Sequence, residues 1–203
     1  VNASLFDLES TKYTISVKTE HRKTKNSEEM FKRLSLAGST YFNAGVMLIN
    51  YKKWKKDNLT SKLTTKMNIL GDTIVFWDQD VLNSYFDGEY LELNNNLNYN
   101  LHLTEENSKK KIVKQALNEM ILIHYSGSFK PWTVRGAYNV NSIYYHRIFF
   151  QIFKKRYHII SKWRFGSLIQ LIKGFLNLNI LLISKPFSFI KYSLMSILVK
   201  DEQ

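Results

Sequence analysis

The sequence predicts an α/β fold with a mixed or parallel sheet, followed by a basic helical extension. Two apolar runs, at residues 41–50 and 121–126, have the composition of buried strands, and segments with helical spacing lie between them. Strands that alternate with helices are typical of α/β proteins, whose ligands bind at strand ends. The extension is predicted by a change of composition, because residues 143–199 are rich in Ile, Leu, Phe, Tyr, Lys and Arg.

The first half of the chain supplies one predicted strand and one predicted surface helix. Residues 11–40 are polar and charged, which indicates an exposed loop or a short helix. The run YFNAGVMLIN at residues 41–50 contains a glycine, which is typical of a buried strand approached closely by another backbone or a ligand. The next twenty residues carry apolar side chains at spacings near three and four, which predicts a single surface helix: Trp54, Leu59, Leu63, Met67 and Leu70.

The segment DTIVFWDQDVLNSYFDGEYLELN predicts a helix, a turn and a short strand. The helix is predicted to begin at Asp78 or Asp80 and to end near residue 86. Asp87 and Gly88 then predict a turn, and residues 89–93 predict a strand.

Two more elements are predicted before the extension. Thr104 begins a helical pattern with acidic residues in its first turn. The apolar run ILIHYS then predicts a second buried strand, which ends close to His124.

The charge of the chain is concentrated in its last two fifths. Residues 1–119 carry 17 Lys/Arg and 15 Asp/Glu, whereas residues 120–200 carry 12 Lys/Arg and no acid. This asymmetry indicates a localised anionic partner. The chain has no cysteine, so thiolate metal sites are excluded and any metal must be held by oxygen and imidazole ligands.

The extension is apolar as well as basic, but its apolar stretches are short. The uncharged run GFLNLNILLIS has about half of the roughly 20 residues that span a bilayer, and Pro186 interrupts its continuation. An interfacial helical pair therefore fits better than a transmembrane span. The alternative is a helical layer that packs on the core.

The motif ILIHYSGSFKPW carries three candidate functional residues just after a predicted strand. His124 could bind a metal or simply hydrogen-bond a neighbouring backbone group. Gly127 allows a ligand to approach the backbone, and Lys130 offers a point charge suited to phosphate. The remaining histidines indicate no site: His21, His146 and His158 are predicted at the surface, and His102 has no identifiable partner.

Three consecutive polar residues, Asp78, Gln79 and Asp80, form a second candidate. Carboxylates at a helix N-terminus satisfy free N–H groups, so this triplet needs no further function. Alternatively, a carboxylate and an amide at such a turn can hold sugar hydroxyls. The sequence has no Walker motif and none of the common nucleic-acid-binding signatures, so no nucleic-acid partner is expected.

Taken together and in order, YFNAGVMLIN, WDQDVLN and IHYSGSFKPW resemble glycosyltransferase family 8 over residues 1–135. Within that family, the chain is most similar to bacterial enzymes that add glucose or galactose from a UDP-sugar to the lipopolysaccharide core. The resemblance implies part of a GT-A-like domain with a mixed sheet for residues 1–135. Residues 136–203 are then the basic, apolar helical extension.

The resemblance also implies a role for each motif residue. His124 would coordinate a divalent metal, usually Mn²⁺ or alternatively Mg²⁺, and Gly127 and Lys130 would contact the pyrophosphate of UDP-glucose or UDP-galactose. Asn43 and Ala44 would line the sugar site. Asp78 and Gln79 would hold the donor sugar, with the Gln79 amide close to the anomeric carbon. The family retains anomeric configuration, and the role of Gln79 as nucleophile or stabiliser stays open.

The sequence departs from the family pattern in one respect. The family also binds its metal through two aspartates of a DxD motif, and no DxD motif lies upstream of FNAG. In relatives, a segment like VNASLFDLES follows shortly after DxD, so the resemblance implies that Val1 lies just downstream of the missing aspartates. We therefore expect negligible sugar transfer by residues 1–203 alone, and exposed strand edges that favour aggregation.

The resemblance further implies a lipopolysaccharide core acceptor and a cytoplasmic location, peripheral on the inner face of the bacterial inner membrane. Because lysines near an anionic surface favour binding, the extension is expected to contact an anionic membrane surface. Two alternatives stay open: a transferase for another glycan or a protein acceptor, and a non-catalytic remnant that binds membrane or a partner.

Overall fold

The computed structural model describes residues 12–112 and 122–199, which form two compact units. In the described part of the chain, the first unit comprises residues 12–99 and 122–124, and the second comprises residues 100–112 and 125–199. The domain boundary that the sequence predicts after residue 135 stays a prediction.

The first unit contains strands and helices, and its first strand, over Ile15–Arg22, corrects the expectation of an exposed loop or a short helix within residues 11–40, because Ile15 and Val17 are fully buried. The elements are β1 (Ile15–Arg22), α1 (Glu28–Arg33), β2 (Thr40–Ile49), α2 (Tyr51–Lys56), α3 (Leu59–Leu70), α4 (Trp77–Phe86) and β3 (Leu91–Glu92). Two further strands, β4 (Tyr99–His102) and β5 (Ile123–Ser126), pair with each other, and the chain passes from one unit to the other within each of them.

The sheet of the first unit is mixed, which confirms the predicted fold class. Its strand order is β2-β1-β3, with β1 antiparallel to β2 and parallel to β3. Apolar residues of the strands meet helix residues in one core: Ile15, Val17, Phe42, Leu59, Leu82, Phe86 and Tyr90. Since these seven side chains come from β1, β2, α3, α4 and the turn before β3, burying them fixes the helices on the sheet.

Two predictions for this unit are corrected in detail. The surface helix after β2 is two helices, because Asn58 adopts a left-handed conformation (φ 51°) that ends one helix and precedes the next. The strand predicted at residues 89–93 is only the two residues of β3. The turn at Asp87 and Gly88 is present, and both residues have positive φ.

The second unit is mainly helical in its described part. Its helices are α5 (Val134–Ala137), α6 (Ile143–Phe153), α7 (Arg164–Leu176) and α8 (Pro186–Leu198). Pro186 occupies the first turn of α8, where a missing N–H is tolerated. Helices α5, α7 and α8 share a core that includes Val134, Leu171 and Phe189. Among the described residues, no helix is long and apolar enough to cross a membrane.

Three sequence interpretations in this unit need comment. Residues 104–112 form turns instead of the predicted start of a helix, and residues 113–121 lie outside the described part of the chain. His146 is buried, so its predicted surface position is wrong; its Nε2 lies 2.9 Å from the Pro131 carbonyl oxygen. His158 is partly buried and stacks on Phe149 at 4.7 Å.

Candidate functional site

The FNAG motif forms an irregularity in the ladder between β1 and β2. Val17 pairs with Met47, but the next residue of β1, Lys18, pairs with Asn43, so residues 44–46 of β2 are bypassed. Such a bulge releases backbone groups from the ladder. The Ala44 N–H donates to Gln79 Oε1 at 3.1 Å, and the Gly45 N–H donates to Asn43 Oδ1 at 2.9 Å.

Helix α4 is fastened to the same part of β2 by Asn83. Its side-chain oxygen accepts from the Phe42 N–H at 2.7 Å, and its Nδ2 donates to the Phe42 carbonyl at 2.9 Å. The same Nδ2 lies 2.9 Å from the Gln79 carbonyl, one helical turn earlier. Because Asn83 is buried and uses both ends of its amide, it fixes where α4, and therefore Gln79, meets the bulge.

Asp80 anchors the start of α4 and is 0% exposed. Its carboxylate accepts from Arg33 Nη1 at 2.8 Å, from the Tyr41 hydroxyl at 2.7 Å and from the backbone N–H groups of Val75 and Phe76. Burial alone would raise the pKa of Asp80, but these donors together hold the pKa below its usual value. The same burial and the Asp80 hydrogen bond raise the pKa of Tyr41.

Glu20 completes a polar cluster and was not found from the sequence. It is the residue of β1 bypassed between Thr19, which pairs with Phe42, and His21, which pairs with Tyr41. One of its carboxylate oxygens, Oε2, accepts from Asn43 Nδ2 and from Gln79 Nε2, each at 3.2 Å. The two predicted sugar-site amides are therefore held by one carboxylate. We call Glu20, Asn43, Ala44 and Gln79 the amide cluster.

The His124 ring packs against Gly45, the residue that follows Ala44 of the amide cluster. A Cβ on Gly45 would lie 2.2 Å from His124 Cε1 and 2.5 Å from its Nε2, distances that a real Cβ does not adopt. The glycine of the FNAG motif therefore leaves room for the imidazole. In this way the structure brings together the predicted residues Asn43, Ala44, Gln79 and His124.

Asp78 is not part of this arrangement. Its side chain is exposed on the first turn of α4, directly after Trp77, whose φ of 45° is uncommon for a residue with a side chain. The helix begins at Trp77, so neither Asp78 nor Asp80 is its first residue. Of the three polar residues, Gln79 belongs to the amide cluster, and Asp80 stabilises the fold by accepting hydrogen bonds at the start of α4.

Gly127 and Lys130 belong to the second unit. Gly127 has a positive φ of 74°, and a Cβ there would lie 2.4 Å from His102 Cε1, so both conformation and space require glycine. His102 thus has a packing partner that the sequence did not reveal. Lys130 Nζ donates to the Tyr125 carbonyl at 2.5 Å, and burial lowers the pKa of this lysine.

The described residues do not by themselves fit a divalent metal. No group of three or more His, Cys, Asp or Glu side chains that could hold an ion occurs within residues 12–112 and 122–199. Since divalent cations in proteins need several such ligands, His124 supplies a single candidate ligand here.

The chemistry of the amide cluster defines a class of site. Its two side-chain amides and one carboxylate, oriented by one another and by the Ala44 N–H, are groups of the kind that hold the hydroxyl groups of a sugar. On the mixed α/β sheet of the first unit, this arrangement fits a site that binds carbohydrate. A family model described as "Glycosyl transferase family 8" matches residues 2–136, and the chain belongs to this family.

Individual relatives agree with the family assignment. A putative glycosyltransferase of Haemophilus influenzae is 30% identical over 128 residues, which cover 63% of this chain and 38% of the relative. The lipopolysaccharide 1,2-glucosyltransferase of Escherichia coli K12 is 34% identical over 115 residues, 53% of this chain and 32% of the relative. General stress protein A of Bacillus subtilis is 26% identical, covering 71% and 52%.

The chain spans at most about half the length of these relatives. Among solved structures, the galactosyltransferase LgtC in complex with donor and acceptor sugar analogs matches with a TM-score of 0.47 and 24% identity. This match covers 64% of the present chain and 49% of LgtC.

Proposed function

We propose that the protein is a retaining hexosyltransferase that moves glucose or galactose from a UDP-sugar to a lipopolysaccharide core acceptor. The amide cluster is the observation that carries this proposal, because it gathers the residues to which the family pattern assigns the donor sugar. The donor and acceptor classes are supported by relatives named lipopolysaccharide 1,3-galactosyltransferase, from Salmonella typhimurium, and lipopolysaccharide 1,2-glucosyltransferase, from Escherichia coli.

The role of Gln79 follows from how its amide is held. Its oxygen accepts from the Ala44 N–H and its nitrogen donates to Glu20, so the amide plane is fixed before a sugar arrives. In the proposed reaction, the bond between the anomeric carbon and the diphosphate breaks, UDP leaves, and an acceptor hydroxyl forms the new bond as it loses its proton. A preorganised amide beside that carbon stabilises the positive charge that develops there.

The other predicted residues act on the donor. Asn43 and Ala44 line the sugar, while Asp78, which is exposed, is free to accept hydrogen bonds from sugar hydroxyls. Gly127 and Lys130 are proposed to contact the pyrophosphate. His124 is proposed as one ligand of Mn²⁺ or Mg²⁺, which would neutralise charge on the leaving diphosphate when bound. The described residues do not complete that ligand set.

The substitution Gln79→Ala in the protein as it occurs in the cell tests the proposal. We expect kcat with UDP-glucose or UDP-galactose to fall about 100-fold, because one preorganised stabilising group is lost. Lys62→Ala, on the exposed surface of α3, is the matched control and should keep full activity. Equal turnover by Gln79→Ala and the parent protein would refute the role of the amide cluster.

Residues 1–203 alone form a second test. Among the described residues, only His124 is proposed as a metal ligand, so we expect negligible transfer or donor hydrolysis by the purified 203-residue chain. The measurement is release of UDP from each donor with and without Mn²⁺. Release that depends on Mn²⁺ would contradict this expectation.

A different acceptor is the second candidate function. The glycosyltransferase GlyA of Streptococcus pneumoniae is 31% identical over 124 residues, and its name does not refer to lipopolysaccharide. A transferase for another glycan or for a protein therefore stays as the alternative. Competition between lipopolysaccharide core oligosaccharides and unrelated glycans in the transfer assay separates the two.

The helical extension is proposed to contact an anionic membrane surface, which would place the protein on the inner face of the bacterial inner membrane. Exposed apolar side chains occur on each of its longer helices, including Phe153 on α6, Phe165 on α7 and Phe187 on α8. Lysines and arginines accompany them without any acid in residues 120–200. Apolar faces with basic rims are typical of surfaces that bind lipid headgroups.

A further inference from the structure

The second unit contains a groove of mixed polar and apolar lining, to which the sequence analysis assigns no function. Three cavities of about 280, 380 and 350 Å³ lie along α5 and α7, and all three are lined by Arg135. The first and third also share Glu105, Tyr138, Asn177 and Asn179, and the second and third share Trp163 and Gln170. Because they share walls, we treat them as one groove, the α7 groove, whose size is that of a small-ligand site.

The floor of the groove is one stripe of α7 that carries two glycines. Gly166, Gln170, Lys173, Gly174 and Asn177 recur at spacings of three and four along the helix. Glycine inside a helix is destabilising relative to alanine, so two of them in one helix require a reason.

Both glycines make room for an aromatic ring. A Cβ on Gly166 would lie 2.1 Å from Trp163 Cε3, and a Cβ on Gly174 would lie 2.0 Å from the Tyr138 hydroxyl oxygen. Tyr138 is buried and lines the first and third cavities, whereas Trp163 is 69% exposed. The indole therefore rests on the helix backbone and leaves much of its surface open to the groove. Such a ring is a platform for the C–H face of a sugar.

The groove is also cationic. Glu105 is the one acid among its described lining residues, and Arg135 holds it through Nε and Nη2 at 3.2 and 2.6 Å. Arg135 lies 3.9 Å over the Phe129 ring, which fixes the guanidinium, and its Nη1 has no acceptor among the described residues. Lys162 and Lys173 add two exposed charges, and neither forms an ion pair within the described part of the chain.

We infer that the α7 groove binds an anionic sugar, one that carries a phosphate or carboxylate group. The sugar ring stacks on Trp163, the amides of Gln170 and Asn177 meet its hydroxyls, and Lys173 and Arg135 meet its anionic group. This inference rests on the proposed function and deepens it: the groove would hold an anionic sugar of the acceptor, while the amide cluster holds the donor hexose.

Saturation-transfer NMR on the full 203-residue chain, without any UDP-sugar, tests the inference. The probes are glucose 6-phosphate, glucose and inorganic phosphate, each titrated into the protein. We expect glucose 6-phosphate to bind about tenfold more tightly than glucose, because a charge-assisted contact is lost with the phosphate. Since no transfer is measured, failure of this test is separate from failure of the proposed transferase activity.

Substitutions of groove residues test whether glucose 6-phosphate binds in the α7 groove. Trp163→Ala and Lys173→Ala should each weaken glucose 6-phosphate binding about tenfold, and Trp163→Phe, which keeps an aromatic face, should restore most of it. Lys191→Ala, an exposed lysine of α8, is the matched control and should bind like the parent chain. All of these side chains are exposed, so folding should be unaffected, which circular dichroism checks.

Three outcomes would overturn the inference. The first is absence of glucose 6-phosphate binding. The second is inorganic phosphate or glucose binding as tightly as glucose 6-phosphate. The third is a Trp163→Ala chain that loses binding to anionic vesicles while it binds glucose 6-phosphate normally, since Trp163 would then serve a lipid surface.

Discussion

In the first unit, a buried polar network holds the start of α4, whereas the longer helices of the second unit carry exposed aromatic and basic side chains. Asp80 and Asn83 are 0% and 2% exposed. Asp80 accepts hydrogen bonds from α1, β2 and the segment before α4, and Asn83 bonds to β2 and α4. By contrast, Trp163 and Phe187 are 69% and 88% exposed. Buried polar networks fix one geometry, while exposed aromatic and basic groups are available to partners.

The contrast separates two kinds of substitution. A change in the buried network of the first unit alters the shape of the amide cluster and the stability of the fold together. A change on the exposed face of the second unit should leave the fold intact and alter what the protein binds.

The largest stability effect is expected from Asp80→Asn. This change removes the charge that pairs with Arg33 inside the first unit, and breaking a buried pair costs about 3 to 5 kcal/mol of unfolding free energy. Asp78→Asn, two residues earlier and exposed, is the matched control and should stay within about 0.5 kcal/mol of the parent. Urea unfolding followed by circular dichroism measures both.

The pH dependence of stability gives an independent check on Asp80. Since the folded pKa lies below its usual value, the carboxylate stabilises the fold above its unfolded pKa and loses that contribution as pH falls through the folded value. The parent chain should therefore lose stability at acid pH more steeply than Asp80→Asn. Equal unfolding free energies for Asp80→Asn and Asp78→Asn would contradict the anchoring role.

A smaller effect is expected from His146 in the second unit. Burial lowers the pKa of His146 from 6.5 to about 4, although the Pro131 carbonyl opposes that shift. Protonation of His146 therefore favours the unfolded chain. The free energy of unfolding keeps its full value above pH 6.5 and falls by about 3 kcal/mol as the pH decreases to 4. Thermal unfolding of the parent and of His146→Gln across this pH range measures it.

This prediction is tested by how the melting temperature changes with pH, and not by its value at any one pH. His146→Gln loses a packed ring and is expected to be less stable at every pH. Between pH 6.5 and 4, however, its melting temperature should fall less than that of the parent chain. Parallel curves would show that His146 does not titrate in this range.

Much of the first unit was predictable, because its signals are local. Apolar composition predicts β2 and β5, and the Asp87-Gly88 pair predicts the turn after α4. The missed strand, β1, has apolar side chains only at Ile15 and Val17, and its second half is polar because it borders the amide cluster. Glu20 was therefore not found, although it contacts both predicted amides.

The rest depends on contacts between distant residues. The order Asp78, Gln79, Asp80 does not show which of the three side chains is buried. Asp80 is buried because it accepts hydrogen bonds from Arg33 and Tyr41, which are distant in sequence. Gly45 looked suited to a ligand, and in the structure it gives room to His124. In the extension, composition predicted exposed apolar helices but not the ring that rests on Gly166.

The smallest effect is expected from Lys155→Gln, which tests membrane binding by the second unit. Lys155 follows α6, is exposed, and lies two residues after Phe153 at the exposed apolar end of that helix. Loss of one lysine near an anionic surface should weaken binding by about 1 kcal/mol, or roughly fivefold. Sedimentation with vesicles of anionic phospholipid measures this change.

A point change is preferable to deletion of residues 143–203, because deletion would remove Leu171, Phe189 and other members of the core. Lys62→Gln, an exposed lysine on α3 of the first unit, is the matched control and should bind vesicles like the parent chain. Since exposed charges are screened by salt, the difference between the two variants should shrink as sodium chloride is raised. Equal weakening by both variants would show that net charge, and not the extension, brings the protein to the membrane.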